Sequence, residues 1–218
     1  MEIGKYIDHT NLKMDAKTSD IEKLCKEAIE YGFESVCVHP YYVPLAKELL
    51  ENTNINVCTV IGFPMGMNSP KTKAFEAVEA LELGADEFDM VINVGALKDK
   101  DYDYVKKEIQ GVQDVIDGKT LKVIVETSLL TDDEIIKMTK ICNETFVNFI
   151  KTSTGFGKRG ASLNDVKLMN KYKSDVLEIK ASGGINNFKQ MDELIKAGAT
   201  RIGTSHGVEI MKTVTEGK

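Results

Sequence analysis

Residues 121–151 read LKVIVETSLLTDDEIIKMTKICNETFVNFIK, a complete strand–helix–strand unit. Leu121-Lys122-Val123-Ile124-Val125 is short, apolar and rich in β-branched residues, which predicts a strand. Thr131-Asp132-Asp133-Glu134 has the spacing of a capping box, in which a hydroxyl and a carboxylate satisfy N–H groups at a helix start. Ile135, Ile136 and Met138 follow, and Val147-Asn148-Phe149-Ile150 is the next strand, ending on Lys151. Such alternation with short links builds a parallel sheet with crossover helices.

The same unit recurs in both directions. Short apolar runs begin near Tyr6-Ile7, Ser35-Val36-Cys37-Val38, Val57-Cys58-Thr59-Val60-Ile61 and Phe88-Asp89-Met90-Val91-Ile92. Leu177-Glu178-Ile179-Lys180 and Thr200-Arg201-Ile202-Gly203 complete a set of eight. Between them, Ile21, Leu24, Cys25, Ala28 and Ile29 lie at helical spacing, and Ser69-Pro70 reads as an N-cap followed by proline in the first turn. Asn187 is placed to cap the helix that carries Met191, Leu194 and Ile195. Gly32, Gly84, Gly118 and Gly198 are candidate helix stops. No linker or low-complexity stretch interrupts the series. Eight units therefore predict one domain over 1–218, a single closed (β/α)8 barrel, and 218 residues suffice for one.

The chain carries 34 acidic and 28 basic residues, a net charge of −6, without a basic run long enough for a nucleic-acid face. No stretch approaches the roughly 18 apolar residues of a membrane span, and Met1–Thr10 shows no apolar core of a signal peptide. The four cysteines, Cys25, Cys37, Cys58 and Cys142, form no C-x-x-C pair and read as free thiols of a reducing, cytoplasmic compartment. His9, His39 and His206 lie on separate segments with no metal-ligand spacing, so a dedicated metal site is not expected.

In a β/α barrel the chemistry collects at the C-terminal ends of the strands. Here those ends carry Asp8-His9, Cys37, Asp89, Glu126-Thr127, Lys151-Thr152-Ser153, Lys180-Ala181-Ser182 and Thr204-Ser205-His206. Period-two alternation puts Val147, Phe149 and Lys151 on one face. A buried, unpaired ammonium costs several kcal/mol, so such a lysine tends to shed its proton, and a neutral amine can form a Schiff base. Lys180, if it also points inward, opposes charge on Lys151. The bland alternative, a lysine that reaches past the strand end or pairs with a carboxylate, suits one lysine better than two with an inward acid. Asp89, inside an apolar strand, needs a partner and pairs naturally with Lys180. Loops after strands seven and eight often hold a phosphate on backbone amides. Gly183-Gly184 and Gly203-Thr204-Ser205 stand there, and Gly155 can add an amide.

These strings resemble the deoxyribose-phosphate aldolase family. The resemblance rests on Tyr6-Ile7-Asp8-His9-Thr10, Val36-Cys37-Val38-His39-Pro40, Thr59-Val60-Ile61-Gly62-Phe63-Pro64 and Glu87-Phe88-Asp89-Met90-Val91-Ile92-Asn93. It rests most on Phe149-Ile150-Lys151-Thr152-Ser153-Thr154-Gly155-Phe156 and Lys180-Ala181-Ser182-Gly183-Gly184-Ile185, and it runs from about Tyr6 to Val208. It implies reversible cleavage of 2-deoxy-D-ribose 5-phosphate to acetaldehyde and D-glyceraldehyde 3-phosphate, without cofactor. Lys151 would form the Schiff base, Lys180 would tune it, and Asp89 would move protons. Asp8, Cys37, Thr152, Gly155, Gly183, Gly184, Gly203 and Ser205 are the candidate substrate and phosphate contacts. The chain departs from the family pattern at Asn11, Met14, His39, Lys158-Arg159, Asn186 and His206, and it has Glu216-Gly217-Lys218 where some members place a site-reaching tyrosine.

Two other readings compete: a different phosphosugar barrel, such as a transaldolase-like enzyme or an isomerase, and a non-catalytic sugar-phosphate sensor. An isomerase needs no Schiff base, and a sensor has no use for Lys151, Lys180 and Asp89 together. The expected partner is a small phosphosugar, with no nucleic acid and no membrane. A homodimer is expected, since barrels of this kind often pair.

Overall fold

The computed structural model describes residues 2–216, so the reading of Gly217-Lys218 lies outside it. Eight parallel strands close into a barrel in sequence order. They are β1 (Ile7–Asn11), β2 (Ser35–Val38), β3 (Asn56–Ile61), β4 (Glu87–Val91), β5 (Thr120–Ile124), β6 (Phe149–Lys151), β7 (Glu178–Ser182) and β8 (Arg201–Thr204). The helices around them are α1 (Thr18–Tyr31), α2 (Val43–Leu49), α3 (Pro70–Glu82), α4 (Val94–Lys98), α5 (Tyr102–Gln113), α6 (Asp132–Glu144), α7 (Leu163–Tyr172), α8 (Phe188–Ala197) and α9 (Gly207–Glu216). All eight expected strands form.

The local signals act as their chemistry requires. The Thr131 hydroxyl accepts from Glu134 N–H while the Glu134 carboxylate accepts from Thr131 N–H, which starts α6. Ser69 caps α3 ahead of Pro70, and Asn187 caps α8. Gly32 and Gly198 follow the last turns of α1 and α8, Gly32 in the left-handed region. Gly84 and Gly118 are not themselves the caps: α3 is capped by Leu83 and α5 by Asp114, and the two glycines turn the chain a little later.

Strand alternation divides the protein into two interiors. Ile7, Val36, Val57, Phe88, Met90, Val123, Ile150, Ile179 and Ile202 join helix residues such as Ile21, Ala77, Ile109, Met138, Val166 and Met191 in one buried apolar layer between barrel and helices. The alternate residues fill the barrel itself. Val, Ile and Leu usually dominate that space. Here a small apolar cluster of Leu12, Cys37, Cys58 and Val60 shares it with Asp8, Glu87, Asp89, Lys122, Lys151 and Lys180, each at most 3% exposed.

Candidate active site

In-register pairing sets the site. Lys151 of β6 lies beside Lys180 of β7, and Asp89 of β4 beside Lys122 of β5. Asp89 stands at the centre. Its Oδ2 accepts from Lys151 Nζ and Lys180 Nζ, both at 2.7 Å, and its Oδ1 accepts from Lys122 Nζ at 2.9 Å and Cys58 Sγ at 3.2 Å. Burial alone would raise the carboxyl pKa, but the fields of Lys122, Lys151 and Lys180 reverse this and hold Asp89 ionised well below the usual carboxylate range.

A second set of pairs underlies this one. Lys180 Nζ is 2.5 Å from Asp8 Oδ2, and Asp8 Oδ1 accepts from Arg201 at 2.8 Å. Asp8 and Arg201 are 193 residues apart, so this pair closes the ring between the first and last strands. Glu87 Oε2 lies 2.5 Å from Lys122 Nζ and 3.2 Å from Arg201. Burial opposes charge on Lys180, yet Asp8 and Asp89 outweigh it and keep this lysine protonated; Lys122 is held charged by Asp89, Cys58, Glu87 and Asp8 in the same way.

Above the lysines opens a cavity of about 460 Å³, within the range of small-molecule sites. Lys151 lines it, with Thr154, Gly155 and Phe156 after β6, Ser182, Gly183 and Gly184 after β7, and Gly203, Thr204 and Ser205 after β8. The structure therefore brings the candidate nucleophile and all five candidate phosphate-loop residues to one cavity. Gly183 and Gly184 adopt φ of 83° and 73°, which favours glycine; Gly183 packs against Gly160 and Gly155, while Gly184 has open space around it. Gly203 has another reason to be small. A Cβ there would lie 3.0 Å from Ser182 Cβ and 3.1 Å from Lys180 Cε.

The other candidates sit lower. Asp8 is buried beneath Lys180, and Cys37 is buried beside Cys58 in register across β2 and β3. Thr152 is a tie between strand ends: its hydroxyl accepts from Ser182 N–H at 3.1 Å and donates to Ser182 carbonyl oxygen at 3.3 Å. None of the three lines the cavity. His9 bonds to Glu27, His39 to the Leu12 carbonyl oxygen, and His206 lies 4.0 Å from Glu209, so the histidines do not converge on a metal. Cys37, Cys58 and Asp89 are the closest set of possible ligands among the described residues, and Lys122 Nζ already lies 3.4 Å from Cys58 Sγ and 2.9 Å from Asp89 Oδ1.

Lys122, Glu87 and Arg201 went unrecognised in the sequence, and Glu126 was placed at a strand end without a role. The argument applied to Lys151, a lysine inside an apolar strand, applies equally to Lys122. Glu87 and Arg201 share faces with Asp89 and Gly203 by period two. Glu126 carries a weaker signal. It holds a left-handed backbone, φ 52°, and is 5% exposed. Its Oε2 accepts from Thr154 N–H at 3.1 Å and Thr154 Oγ1 at 2.6 Å, and its Oε1 accepts from Ser128 at 2.9 Å. Its carboxylate thus holds the cavity wall that follows Lys151.

Comparison with known proteins agrees with this geometry. Residues 3–213 match the family model described as DeoC/LacD family aldolase. Deoxyribose-phosphate aldolase of Finegoldia magna is 55% identical over 212 residues, covering 97% of this chain and 100% of that one. The Dictyoglomus turgidum deoxyribose-phosphate aldolase is 52% identical over 210 residues, 96% of each chain. The tetrameric deoxyribose phosphate aldolase of Aeropyrum pernix superposes with a TM-score of 0.91 at 29% identity, over 99% of this chain and 92% of its own. A lysine pair on a shared carboxylate inside a closed barrel, and likeness along nearly the whole length, lead to one conclusion: this chain belongs to the DeoC/LacD family of aldolases.

Proposed function

We propose that the protein is a class I aldolase that reversibly cleaves 2-deoxy-D-ribose 5-phosphate to acetaldehyde and D-glyceraldehyde 3-phosphate through a Schiff base on Lys151. The observation that carries this reading is Lys151 Nζ at the cavity wall, 2.7 Å from the same Asp89 oxygen that binds Lys180. Lys151 Nζ adds to C1 of the open-chain aldehyde, and loss of water gives a protonated imine. The imine takes up the electron pair as the C2–C3 bond breaks and the C3 hydroxyl gives up its proton. Glyceraldehyde 3-phosphate departs with C3 to C5. The remaining enamine is protonated at C2, and hydrolysis releases acetaldehyde and free Lys151.

Lys180 and Asp89 are the proton-handling pair in this scheme. Asp89 touches both amines, so its carboxylate can take up and return a proton of Lys151 while Lys180 stays cationic beside the imine. The Gly155, Gly183, Gly184, Gly203 and Ser205 backbone would hold the phosphate. Asp8 would act by anchoring Lys180, Thr152 by tying β6 to β7, and Cys37 by packing beside Cys58 under the reacting carbons. No cofactor is needed, because the imine itself is the electron sink.

The same reading makes the enzyme cytoplasmic, in keeping with four free, buried cysteines. A homodimer is the assembly we propose to test, by light scattering of the purified protein. For the chemistry, acetaldehyde plus borohydride followed by peptide mapping is decisive. One two-carbon adduct at Lys151 is expected, and an adduct only at Lys180, or none, overturns the assignment.

A further inference from the structure

The barrel holds more charge beneath Lys151 than the aldol chemistry uses. Seven charged side chains from six strands meet there: Asp8, Glu87, Asp89, Lys122, Lys151, Lys180 and Arg201. Cys37 and Cys58, from the two remaining strands, face the same space, and Cys58 donates to Asp89. At the lower edge Glu34 lies 3.8 Å from Arg201 and 3.5 Å from Lys5. With Lys151 set aside, three inner carboxylates face three inner cations. Lys151 is the one member of the set that borders the cavity.

The pairs form two lines that start together and end together. From Glu87 the line runs to Lys122 at 2.5 Å, then to Asp89 Oδ1 at 2.9 Å. From Arg201 it runs to Asp8 at 2.8 Å, to Lys180 at 2.5 Å and to Asp89 Oδ2 at 2.7 Å. Glu87 and Arg201 close the loop at 3.2 Å. Asp89 then passes the result to Lys151 at 2.7 Å. If this layer served only to plug the barrel, apolar residues of similar volume would fill it at lower desolvation cost.

We propose that Glu87 and Arg201 are positioning residues for the aldol reaction: acting through Lys122 and Asp8, they fix the net charge around Lys151 and so the pH at which that amine can attack an aldehyde. The inference rests on Schiff-base chemistry at Lys151. It separates charge from shape, because the two residues carry opposite signs. Removing the Glu87 charge leaves an excess positive charge around Lys151 and eases loss of its proton. Removing the Arg201 charge leaves an excess negative charge and retains that proton.

The test is the pH dependence of acetaldehyde trapping by borohydride at Lys151. Glu87→Gln is expected to move the acid limb to lower pH and Arg201→Gln to higher pH, each by on the order of one unit, the scale on which a unit charge acts across a protein interior at an effective dielectric near 20. The double variant, neutral again, is expected to restore the wild-type limb, and Glu87→Asp and Arg201→Lys to leave it in place even where the rate falls. A structural seal would lower rates with every limb unmoved, and that result overturns the proposal. If one neutral variant fails to fold, the other decides. If both fail, a displaced limb in the double variant overturns the proposal and a coincident one supports it. A wild-type adduct at Lys151 with unmoved limbs rejects only the charge-setting role, whereas a wild type without that adduct rejects the Schiff-base reading itself.

Discussion

Lys151 and Lys180 donate to the same atom, Asp89 Oδ2, each at 2.7 Å. Two amines that share one carboxylate oxygen are not equivalent here. Lys180 has a second anion, Asp8, at 2.5 Å and no exposure, while Lys151 borders the cavity. Lys180 is thus the cation held from both sides, and Lys151 is the amine at the cavity, where the proposed chemistry places the aldehyde.

From this asymmetry Lys180→Leu is expected to keep the barrel but to slow turnover by about 10²–10⁴-fold, the usual worth of a positioned acid–base group. Without the neighbouring ammonium, imine formation at Lys151 should also shift to higher pH. The pH–rate profile of imine formation in wild type and variant checks both effects, and coincident profiles would leave burial alone to explain the activated amine.

Asp89→Asn removes the carboxylate shared by three buried lysine side chains. Breaking a buried pair by deleting one partner costs about 3–5 kcal/mol, so urea unfolding at neutral pH should show a loss of that size. The pH dependence follows from the depressed Asp89 pKa. Its stabilisation is complete above the unfolded carboxyl value near 4 and is lost as pH falls towards the lower folded value. The wild type should therefore weaken steeply below about pH 4, and Asp89→Asn should weaken less steeply. Parallel acid slopes would rule this out.

The two kinds of site glycine predict different kinetics. In Gly203→Ala the new methyl meets Lys180 Cε at 3.1 Å and Ser182 Cβ at 3.0 Å, displacing the catalytic cation. Its kcat should fall with little change in KM. Gly184 has open space around it but φ of 73°, so Gly184→Val strains the loop and covers its amides. KM for deoxyribose 5-phosphate should rise, while kinetics on unphosphorylated deoxyribose should change little. An unchanged KM for the phosphorylated substrate would count against the phosphate site.

Glu126→Gln keeps shape but turns one acceptor into a donor facing Ser128 or Thr154. A loss of about 1–3 kcal/mol is expected, as for a buried polar group left unsatisfied. The loop over Thr154–Phe156 should loosen, raising KM more than it lowers kcat. Thermal unfolding and steady-state kinetics on one preparation separate the two effects.

Prolonged dialysis against a chelator should leave activity unchanged, since the imine supplies the electrophilic activation a metal would otherwise provide. Loss of activity with rescue by a divalent ion would point to metal-dependent aldol chemistry.

The barrel was legible because its signals are local. The Thr131–Glu134 box, the Ser69-Pro70 start and the alternating strands each depend on a few neighbouring residues. Lys151 and Lys180 were legible because a lysine late in an apolar strand violates the pattern around it. The partnerships were not. Asp89 reads as the partner of Lys180, yet it also binds Lys122 and Lys151, because pairing inside a barrel depends on strand tilt and stagger. Asp8 looks like a strand-top substrate contact in sequence, but side-chain direction and partner put it under Lys180. Glu126 was hidden for a related reason: its role follows from contact with a loop 28 residues later.

The ion pair between Asp8 and Arg201 also bears on how the protein is made. The ribosome delivers Asp8 first and Arg201 193 residues later. At roughly 5–20 residues per second that interval is about 10–40 s. Throughout it the growing chain holds Asp8, and from β4 onward Glu87 as well, without the guanidinium that β8 will bring. Asp8 and Glu87 cannot complete their pairing during synthesis, so final closure of the barrel waits for β8. A nascent chain halted before β8 should be open to proteases and dependent on chaperones, whatever the quality of its first seven strands.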